Sequence, residues 1–381
     1  MIGRMNPKIL TSCLCALALA AVPAKAQVPP GRIAALSRGV NLSHWFSQIP
    51  HGKGEYTHEW FATYDKPSDL ALIAGAGFTH VRFPVEFEMF LDEENPETLR
   101  PEFLGDFDAA LDHILATGLS VIVDWHAREA TKDRLRTDDT LAIKSAALWG
   151  AMARHLSSRN PERVFLETMN EPAGKMSLER WTWVQDGLFR AMRAGAPSHT
   201  IIVTSNRWSG VDELAAFAPL ADDNVVYNFH FYEPMAETHQ GASWAGPGEK
   251  ALSGVVYPVD ARSKAAQLAA LTDPAAKKEL EAYRADRDWI ASRLSLALSW
   301  AKTHRVPVTC NEFGVYTKVA PADSRYRWMR DVRQLCEEGG AGWTLWDYAG
   351  GFKVADTDAK GVRTMDPRCL EALGLKAAGG P

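Results

Sequence analysis

Short apolar runs recur along the chain, separated by stretches in which apolar residues follow helical spacing. Eight of these runs are four to six residues long and rich in β-branched or aromatic residues, a pattern typical of strands buried on both faces. The predicted strands are Gly39–Leu42, Thr79–Phe83, Ser120–Trp125, Val164–Thr168, Thr200–Thr204, Asn224–Asn228, Val306–Cys310 and Gly342–Trp346.

The stretches between the runs predict amphipathic helices. They include Ser68–Ala74, Phe103–Ala116, Thr140–Leu156, Leu178–Ala194, Arg287–Lys302 and Arg325–Glu338. Glycines suited to ending a helix follow several of them: Gly75, Gly118, Gly195 and Gly339. The alternation of strand and helix over about 350 residues predicts an α/β fold, the (β/α)8 TIM barrel. A doubly wound open sheet is the alternative, but no glycine-rich phosphate loop follows the first strand.

The longest interval without a predicted strand spans residues 233–287, after the sixth strand. It contains Trp244, the turn sequence Gly246-Pro247-Gly248 and a Lys/Glu-rich helical stretch at 275–284. An interval of this length on a barrel usually shapes the cleft, although it could also be a surface insertion. Because no linker, repeat or second module is visible, we expect residues 27–381 to form a single domain.

Residues 1–26 have the pattern of a signal peptide. Arg4 and Lys8 precede the apolar stretch 9–22, and Ala24-Lys25-Ala26 is a small-x-small cleavage sequence. The apolar stretch is too short to span a bilayer, so no membrane anchor is expected. The pattern predicts an exported protein that begins near Gln27, in either the periplasm or the medium.

Removal of this segment leaves 39 basic and 47 acidic residues, a net charge of −8. Because no basic cluster is visible, nucleic acid and anionic membrane surfaces are not expected partners. Cys310, Cys336 and Cys369 remain, and export permits one disulfide among them. We favour Cys336–Cys369, since Cys310 falls in a predicted barrel strand.

Two short phrases carry the candidate chemistry, Met169-Asn170-Glu171-Pro172 and Asn311-Glu312-Phe313-Gly314. Each places a glutamate just beyond an apolar run, and in a barrel the carboxyl ends of the strands share one rim. Cleavage of a glycosidic bond requires two carboxyl groups, one that donates a proton and one that stays ionised. Either glutamate taken alone could equally be a surface acid.

Other polar and aromatic residues are expected on the same rim. They are Asn41, His44, Arg82, His126, Asn170, Trp208, His230, Tyr232 and Trp346. Arg82 could lower the pKa of Glu312, or it could form a purely structural salt bridge. Asn170 could donate to a substrate hydroxyl, and Trp346 could stack on a sugar ring.

A metal-dependent hydrolase is the main alternative chemistry, because Asp124, His126 and His230 could ligate zinc or manganese. The first strand lacks the His-x-His pair usual in such barrels, and the paired glutamates would be left without a role. We therefore predict neither a metal nor a cofactor.

Taken in order, these residues resemble glycoside hydrolase family 5, the cellulase family of retaining barrel enzymes. The matching signatures are Val81-Arg82-Phe83-Pro84, Asp124-Trp125-His126, Asn170-Glu171-Pro172, His230-x-Tyr232, Glu312-Phe313-Gly314 and Trp346. The resemblance covers nearly the whole mature chain and implies a double-displacement mechanism. It implies Glu171 as acid/base and Glu312 as nucleophile, with Arg82, His126, Asn170, His230, Tyr232 and Trp346 around them.

One local departure, the stretch 238–244, leaves the substrate open. We expect a monomeric, exported β-glycosidase acting on a polysaccharide or oligosaccharide, most simply an endo-β-1,4-glucanase. The same mechanism could instead serve β-mannan, β-1,3-glucan or an exopolysaccharide of the same cell. A non-catalytic carbohydrate-binding barrel is a third possibility, against which the presence of both glutamates and Arg82 argues.

Overall fold

Eight parallel strands close into a barrel in the part of the chain that the computed structural model describes, residues 28–49 and 55–376. They are β1 (Arg38–Asn41), β2 (His80–Val85), β3 (Ser120–Trp125), β4 (Val164–Glu167), β5 (Ile201–Thr204), β6 (Val225–Phe231), β7 (Val308–Phe313) and β8 (Gly342–Leu345). Each strand pairs with the next in chain order, and β8 closes onto β1. The predicted barrel is confirmed, and every predicted run contributes a strand.

Helices cover the outside of the barrel, and several begin at an Asp, Ser or Thr side chain that accepts a backbone N–H. The helices are α1 (Pro30–Ala35), α2 (His58–Thr63), α3 (Pro67–Ala76), α4 (Leu104–Ala116), α5 (Glu129–Leu135), α6 (Asp139–Leu156), α7 (Leu178–Gly195), α8 (Val211–Ala215), α9 (Met235–Thr238), α10 (Pro247–Ala251), α11 (Ala261–Ala270), α12 (Pro274–Ala282), α13 (Arg287–His304), α14 (Ala322–Glu338) and α15 (Pro367–Ala372). A short hairpin, β9 (Ala355–Thr357) and β10 (Arg363–Met365), follows β8.

One predicted helix end is wrong. Helix α3 continues through Gly75 and stops at Gly77, whose φ of 95° is the left-handed conformation that ends many helices. Two glycines lie close together here, and only the second adopts that conformation.

The barrel interior changes character along its axis. Its lower end is filled by an apolar cluster that α1 closes from below: Val28, Leu36, Ile122, Phe165, Ile202 and Val226. Side chains alternate along a strand, so residues two positions further on share the same interior. On β3 to β6 those residues are Asp124, Glu167, Thr204 and Asn228, all buried. The upper half of the interior is therefore polar, directly below the rim where the candidate residues lie.

The interval 233–287 is an ordered insertion that holds α9 to α12. It packs back onto the barrel through Trp328, whose indole donates to the carbonyl of Glu233, and through Tyr316, whose amide donates to the carbonyl of Thr238. Its residues 238–244 lie beside the rim.

Glu237 in α9 is fully buried, and neither carboxyl oxygen has a hydrogen-bond partner among the described residues. Burial raises its pKa well above the ordinary value, although Arg327 opposes the shift. We expect Glu237→Gln to raise the free energy of unfolding by about 1–3 kcal/mol at pH 7 and to leave it nearly unchanged at pH 4.

The sign follows from the proton balance. A carboxyl whose folded-state pKa is raised carries no penalty below about pH 4.3, and the penalty grows as the pH rises towards the folded-state pKa. Urea unfolding at several pH values measures the difference. Glu281→Gln removes a charge from exposed α12 and should leave the pH dependence unaltered. A Glu237→Gln protein that is less stable than its parent at pH 7 would contradict the prediction.

The three cysteines of the described residues are free, buried thiols. The favoured Cys336–Cys369 bond is therefore wrong for this structure. The thiol of Cys369 lies beside the Arg325 guanidinium, with 3.5 Å between Sγ and Nη2. The predicted signal peptide, residues 1–26, lies outside the described residues. Among the helices that are described, none is both long and apolar enough to cross a membrane.

Candidate active site

Arg82 of β2 is the centre of the polar interior and is completely buried. Its guanidinium donates to both oxygens of Glu167, at 2.9 Å each, and to Glu312 Oε1 at 2.7 Å. It also donates to Asn41 Oδ1 at 3.0 Å and Asn170 Oδ1 at 2.8 Å. A bidentate guanidinium held on several sides cannot rotate, so it fixes the groups around it.

Glu312 lies within β7, opposite His230 of β6. The pairing skips Asn311, a bulge that adds one residue to β7 and turns Glu312 towards the cleft. Both carboxyl oxygens of Glu312 are held: Oε1 by Arg82, and Oε2 by the Tyr232 hydroxyl at 2.9 Å. Burial raises the pKa of Glu312, while His230, Arg82 and the Tyr232 hydrogen bond oppose the shift.

Glu171 follows the end of β4 and has a φ of 41°, the left-handed region that is rare for residues other than glycine. The surrounding backbone fixes this turn: Asn170 N donates to the carbonyl of Trp125 at 2.9 Å, and Trp208 N donates to that of Pro172 at 3.0 Å. The Glu171 side chain is 24% exposed, compared with 6% for Glu312. It therefore reaches into the open cleft, whereas Glu312 lies at its floor.

His230 connects the two glutamates. The amide of Asn228 faces His230 Nε2 at 3.3 Å, because the Asn228 oxygen accepts from the backbone of Asn311. The ring proton is therefore on Nδ1, which donates to Glu171 Oε1 at 2.8 Å and lies 3.6 Å from Glu312 Oε2. Burial lowers the pKa of His230 to about 4, so the ring is neutral at neutral pH.

The two glutamates form a close pair. One carboxyl oxygen of each, with a ring nitrogen of His230, forms a set whose atoms all lie within 4.8 Å of one another. Carboxyl groups at this separation can act on one sugar ring directly, whereas enzymes that place a water between them need a wider gap.

Glu171, His230 and Glu312 are also the one group of three potential metal ligands found among the described residues. The alternative set from the sequence, Asp124, His126 and His230, is not assembled. Asp124 instead lies 3.0 Å from Arg82 and 2.9 Å from His126 Nδ1. The Asp124 carboxylate is therefore occupied by Arg82 and His126 and positions these two side chains.

His126 and Trp346 line the side of the cleft formed by β3 and β8. Their rings stack with centroids 5.7 Å apart, and His126 Nε2 lies 3.3 Å from the amide of Asn170. Burial and the nearby cations Lys132 and Arg82 lower the pKa of His126 well below its ordinary value. The ring is therefore a neutral support for Trp346 and Asn170.

Two predicted residues lie further out. His44 follows β1, with Nδ1 at 2.7 Å from the carbonyl of Gln48. Trp208 follows β5, is 56% exposed and packs its ring on Gly174, where a Cβ would fall 2.1 Å from the indole. In an eight-stranded barrel β1 and β5 are opposite, so these residues follow strands on opposite sides of the barrel.

Sequence reasoning missed four buried residues, Glu167, Lys132, Asn228 and Asn311. Glu167 lies in the predicted fourth strand, two positions after Phe165, and strand alternation could have placed it in the interior. Lys132 of α5 binds Glu129 at 2.8 Å, and its charge lowers the pKa of Glu171 against the larger effect of burial. No sequence pattern indicated that this lysine faces the site.

An aromatic wall lines the rim, and the insertion contributes Trp244 to it. Ring contacts run from Tyr232 to Phe352, with centroids 5.8 Å apart, and from Phe352 to Tyr316, with centroids 5.5 Å apart. Tyr316 contacts Trp244 at 4.8 Å, and Trp244 is 60% exposed. A continuous apolar surface therefore leads from the residue that holds Glu312 to a solvent-facing indole.

Comparison with known proteins gives a family match. The family model described as Cellulase (glycosyl hydrolase family 5) matches residues 43–351. Endoglucanase 3 of Fibrobacter succinogenes is 27% identical over 370 residues, which cover 89% of this chain but only 53% of that protein, about half its length. Endoglucanase C of Acetivibrio thermocellus is 26% identical over 332 residues, covering 85% of this chain and 94% of that one.

Solved structures agree on the fold. A mutant form of Thermotoga maritima Cel5A in complex with cellobiose superposes with a TM-score of 0.74 and is 25% identical. The match covers 91% of this chain and 99% of that one. The barrel and its insertion are thus accommodated almost entirely within a known architecture.

Proposed function

The chain belongs to glycosyl hydrolase family 5, the cellulase family, and is a glycosidase; we propose that it is an exported, retaining endo-β-1,4-glucanase that acts through Glu312 and Glu171. The observation that carries the proposal is the close pair of glutamates whose environments differ. Glu312 has two strong donors on its oxygens, whereas Glu171 has only a neutral imidazole.

This difference in hydrogen-bond donors determines which of the two glutamates carries the proton. Two carboxyl groups this close do not ionise independently, so the pair favours one shared proton. The negative charge is better stabilised on Glu312, which faces the Arg82 guanidinium and the Tyr232 hydroxyl. Burial raises the pKa of both carboxyl groups, so these donors decide the assignment, and the proton resides on Glu171. Glu312 is ready to attack, and Glu171 is ready to donate.

The proposed reaction has two steps. The Glu312 carboxylate attacks the anomeric carbon while Glu171 transfers its proton to the departing glycosidic oxygen, which leaves a glycosyl ester on Glu312. Glu171, now ionised, takes a proton from a water that attacks the same carbon and releases Glu312. Two inversions give net retention. Asn170, fixed by Arg82, is placed to donate to a hydroxyl of the reacting sugar.

Aromatic residues around the pair support a polymeric substrate. Trp208 donates its backbone N–H to Pro172 beside Glu171, Trp346 stacks on His126, and Trp244 contacts Tyr316 in the aromatic wall that begins at Tyr232. Indole faces bind the apolar faces of pyranose rings. Relatives named endoglucanases support a β-1,4-glucan cut internally. Export is proposed from the pattern of residues 1–26. Mass spectrometry of the intact exported protein would establish it by showing that the chain begins at Gln27.

A panel of polysaccharides with product sizing tests the substrate. We expect β-1,4-glucans to lose viscosity well before most reducing ends appear, with cellooligosaccharides as products and the β-anomer formed first by NMR. β-Mannan and β-1,3-glucan are the comparison substrates. Faster cleavage of either, or release of glucose alone from chain ends, would overturn the substrate or the endo mode. No reducing-end release from any polymer would overturn the catalytic proposal.

A further inference from the structure

We propose that Asp347 is a positioning residue for the reaction, because its buried carboxylate holds the loop that carries Trp346 and Phe352 against the end of β1. The inference rests on the function proposed above, in which the Trp346 indole binds a pyranose ring, and it names the residue that keeps this indole in place. Asp347 itself is completely buried, so we do not expect it to touch the substrate.

The Asp347 carboxylate joins two segments that are far apart in the sequence. Its Oδ2 accepts a hydrogen bond at 2.5 Å from the hydroxyl of Ser43, which follows β1. Its Oδ1 accepts from the backbone N–H of Phe352 at 3.2 Å, within the loop 346–354 between β8 and β9. Both oxygens are acceptors, which an apolar side chain at this position could not supply.

Backbone hydrogen bonds extend this anchor along the loop. The N–H of Tyr348 donates to the carbonyl of Asn41 in β1 at 3.0 Å. Trp346 is held from the other side, where its N–H donates to the carbonyl of Phe313 in β7 at 2.9 Å. Trp346 therefore lies between β7 and the Asp347 anchor, and a shift of Asp347 would be passed directly to the adjacent indole.

The chain is packed tightly around the Asp347 carboxylate. A Cβ at Gly350 would fall 2.0 Å from Asp347 Oδ2 and 2.8 Å from His44 Nε2, so only glycine fits between them. His44 is fixed in turn, because its Nδ1 donates to the carbonyl of Gln48 at 2.7 Å. Neither neighbour of Gly350 can withdraw without losing a hydrogen bond, and this packing fixes the loop relative to β1.

The two aromatic side chains of the loop both face the candidate site. Trp346 stacks on His126, with ring centroids 5.7 Å apart. Phe352 contacts the ring of Tyr232 at 5.8 Å between centroids, and the Tyr232 hydroxyl donates to Glu312. A displaced loop would move both rings together, and misplacement by about 1 Å can lower a rate about 10²-fold.

The test measures the first chemical step in the Glu171→Gln background with dinitrophenyl β-cellobioside. The burst of dinitrophenol counts the sites that form the glycosyl ester, and its rate constant and half-saturating concentration describe those sites alone. Adding Asp347→Ala should lower the ratio of these two quantities by about 10–100-fold and retain the burst amplitude. A purely structural role would instead lower the amplitude with the folded fraction and leave the remaining sites at the parental rate, which would overturn the inference.

Three further variants sharpen the test. Asp347→Asn should recover most of the loss, because its amide can accept from Phe352 and donate to the Ser43 hydroxyl oxygen. Gly350→Ala should reproduce the loss, since its methyl group would displace the same carboxylate. Asp356→Ala removes an exposed carboxylate from β9 and should match the parent. Parental kinetics in Gly350→Ala would also overturn the inference.

The result can be separated from the fate of the proposed function. If Glu171→Gln gives no burst, the proposed two-step mechanism fails. The inference is then decided by steady-state kinetics of the otherwise unmodified enzyme on the glycan that it cleaves fastest. A KM raised by Asp347→Ala supports the inference, and an unchanged KM overturns it.

Discussion

Glu312→Gln should lower kcat on cellohexaose by at least about 10⁴-fold, since the variant lacks the group proposed to form the covalent bond to the sugar. The amide keeps the shape of the side chain, so the cleft and substrate binding should persist. KM should therefore change much less than kcat. Initial rates measured by product chromatography, with circular dichroism to verify the fold, make the comparison.

Two further variants sharpen the Glu312 prediction. Glu88→Gln removes a carboxylate from the same end of the barrel, where Glu88 accepts from Trp125 and Arg128, and it should retain most activity. Glu312→Ala with azide and an activated aryl β-cellobioside should give the α-glycosyl azide, because azide enters from the face that Glu312 vacates. Undiminished turnover by Glu312→Gln, or a β-azide from Glu312→Ala, would remove Glu312 from the nucleophile role.

Glu171→Gln should lower kcat on cellohexaose by about 10²–10⁴-fold and have a much smaller effect on the first step with a dinitrophenyl cellobioside. The sugar hydroxylate is a poor leaving group that needs a proton, whereas dinitrophenolate leaves without one. The glycosyl ester should then accumulate, because no base activates water for the second step. Rapid-mixing measurements should show a burst of dinitrophenol followed by slow turnover.

The Glu171 variant has its own diagnostic. Azide should accelerate its second step and give the β-glycosyl azide, the opposite stereochemistry to that expected from Glu312→Ala. A variant of His230 provides the comparison with Glu171→Gln. His230 donates to Glu171, but in the proposed mechanism it gives no proton to the substrate. An equal loss of rate on cellohexaose and the dinitrophenyl substrate would show that Glu171 does not supply the proton.

The strands could be predicted because each appears in the sequence as a continuous apolar run. Only a strand that is covered on both faces requires such a run. The errors lie where polar residues continue a strand. The seventh predicted strand ends at Cys310, but β7 extends through Asn311 and Glu312 to Phe313. Those polar side chains are tolerated because they face Arg82 and its neighbours, which are distant in the sequence. The family match confirms the resemblance read from the sequence signatures.

The candidate site was predictable for residues that belong to one of the sequence signatures and hidden for residues such as Glu167 and Lys132, which belong to none. The sequence places Glu167 in an apolar run, yet both of its carboxyl oxygens accept from Arg82. Lys132 lies seven residues beyond Trp125, and only the turn of α5 brings its ammonium towards Glu171. Strand alternation would have placed Glu167 in the interior, whereas spacing alone does not determine the direction of the Lys132 side chain.

The hydrogen bonds of Arg82 also bear on how the protein folds. They join β2 to β1, to β4 and to β7, over sequence separations of 41, 85 and 230 residues. Contacts of such high order form late, because each requires a long loop to be closed first. In a chain in which only the first strands have assembled, the Arg82 guanidinium lacks its contact with the Glu312 carboxylate. With the proposed catalytic role of Glu312, enzymatic turnover requires the barrel to be closed, and a partly assembled barrel should not hydrolyse a glycan.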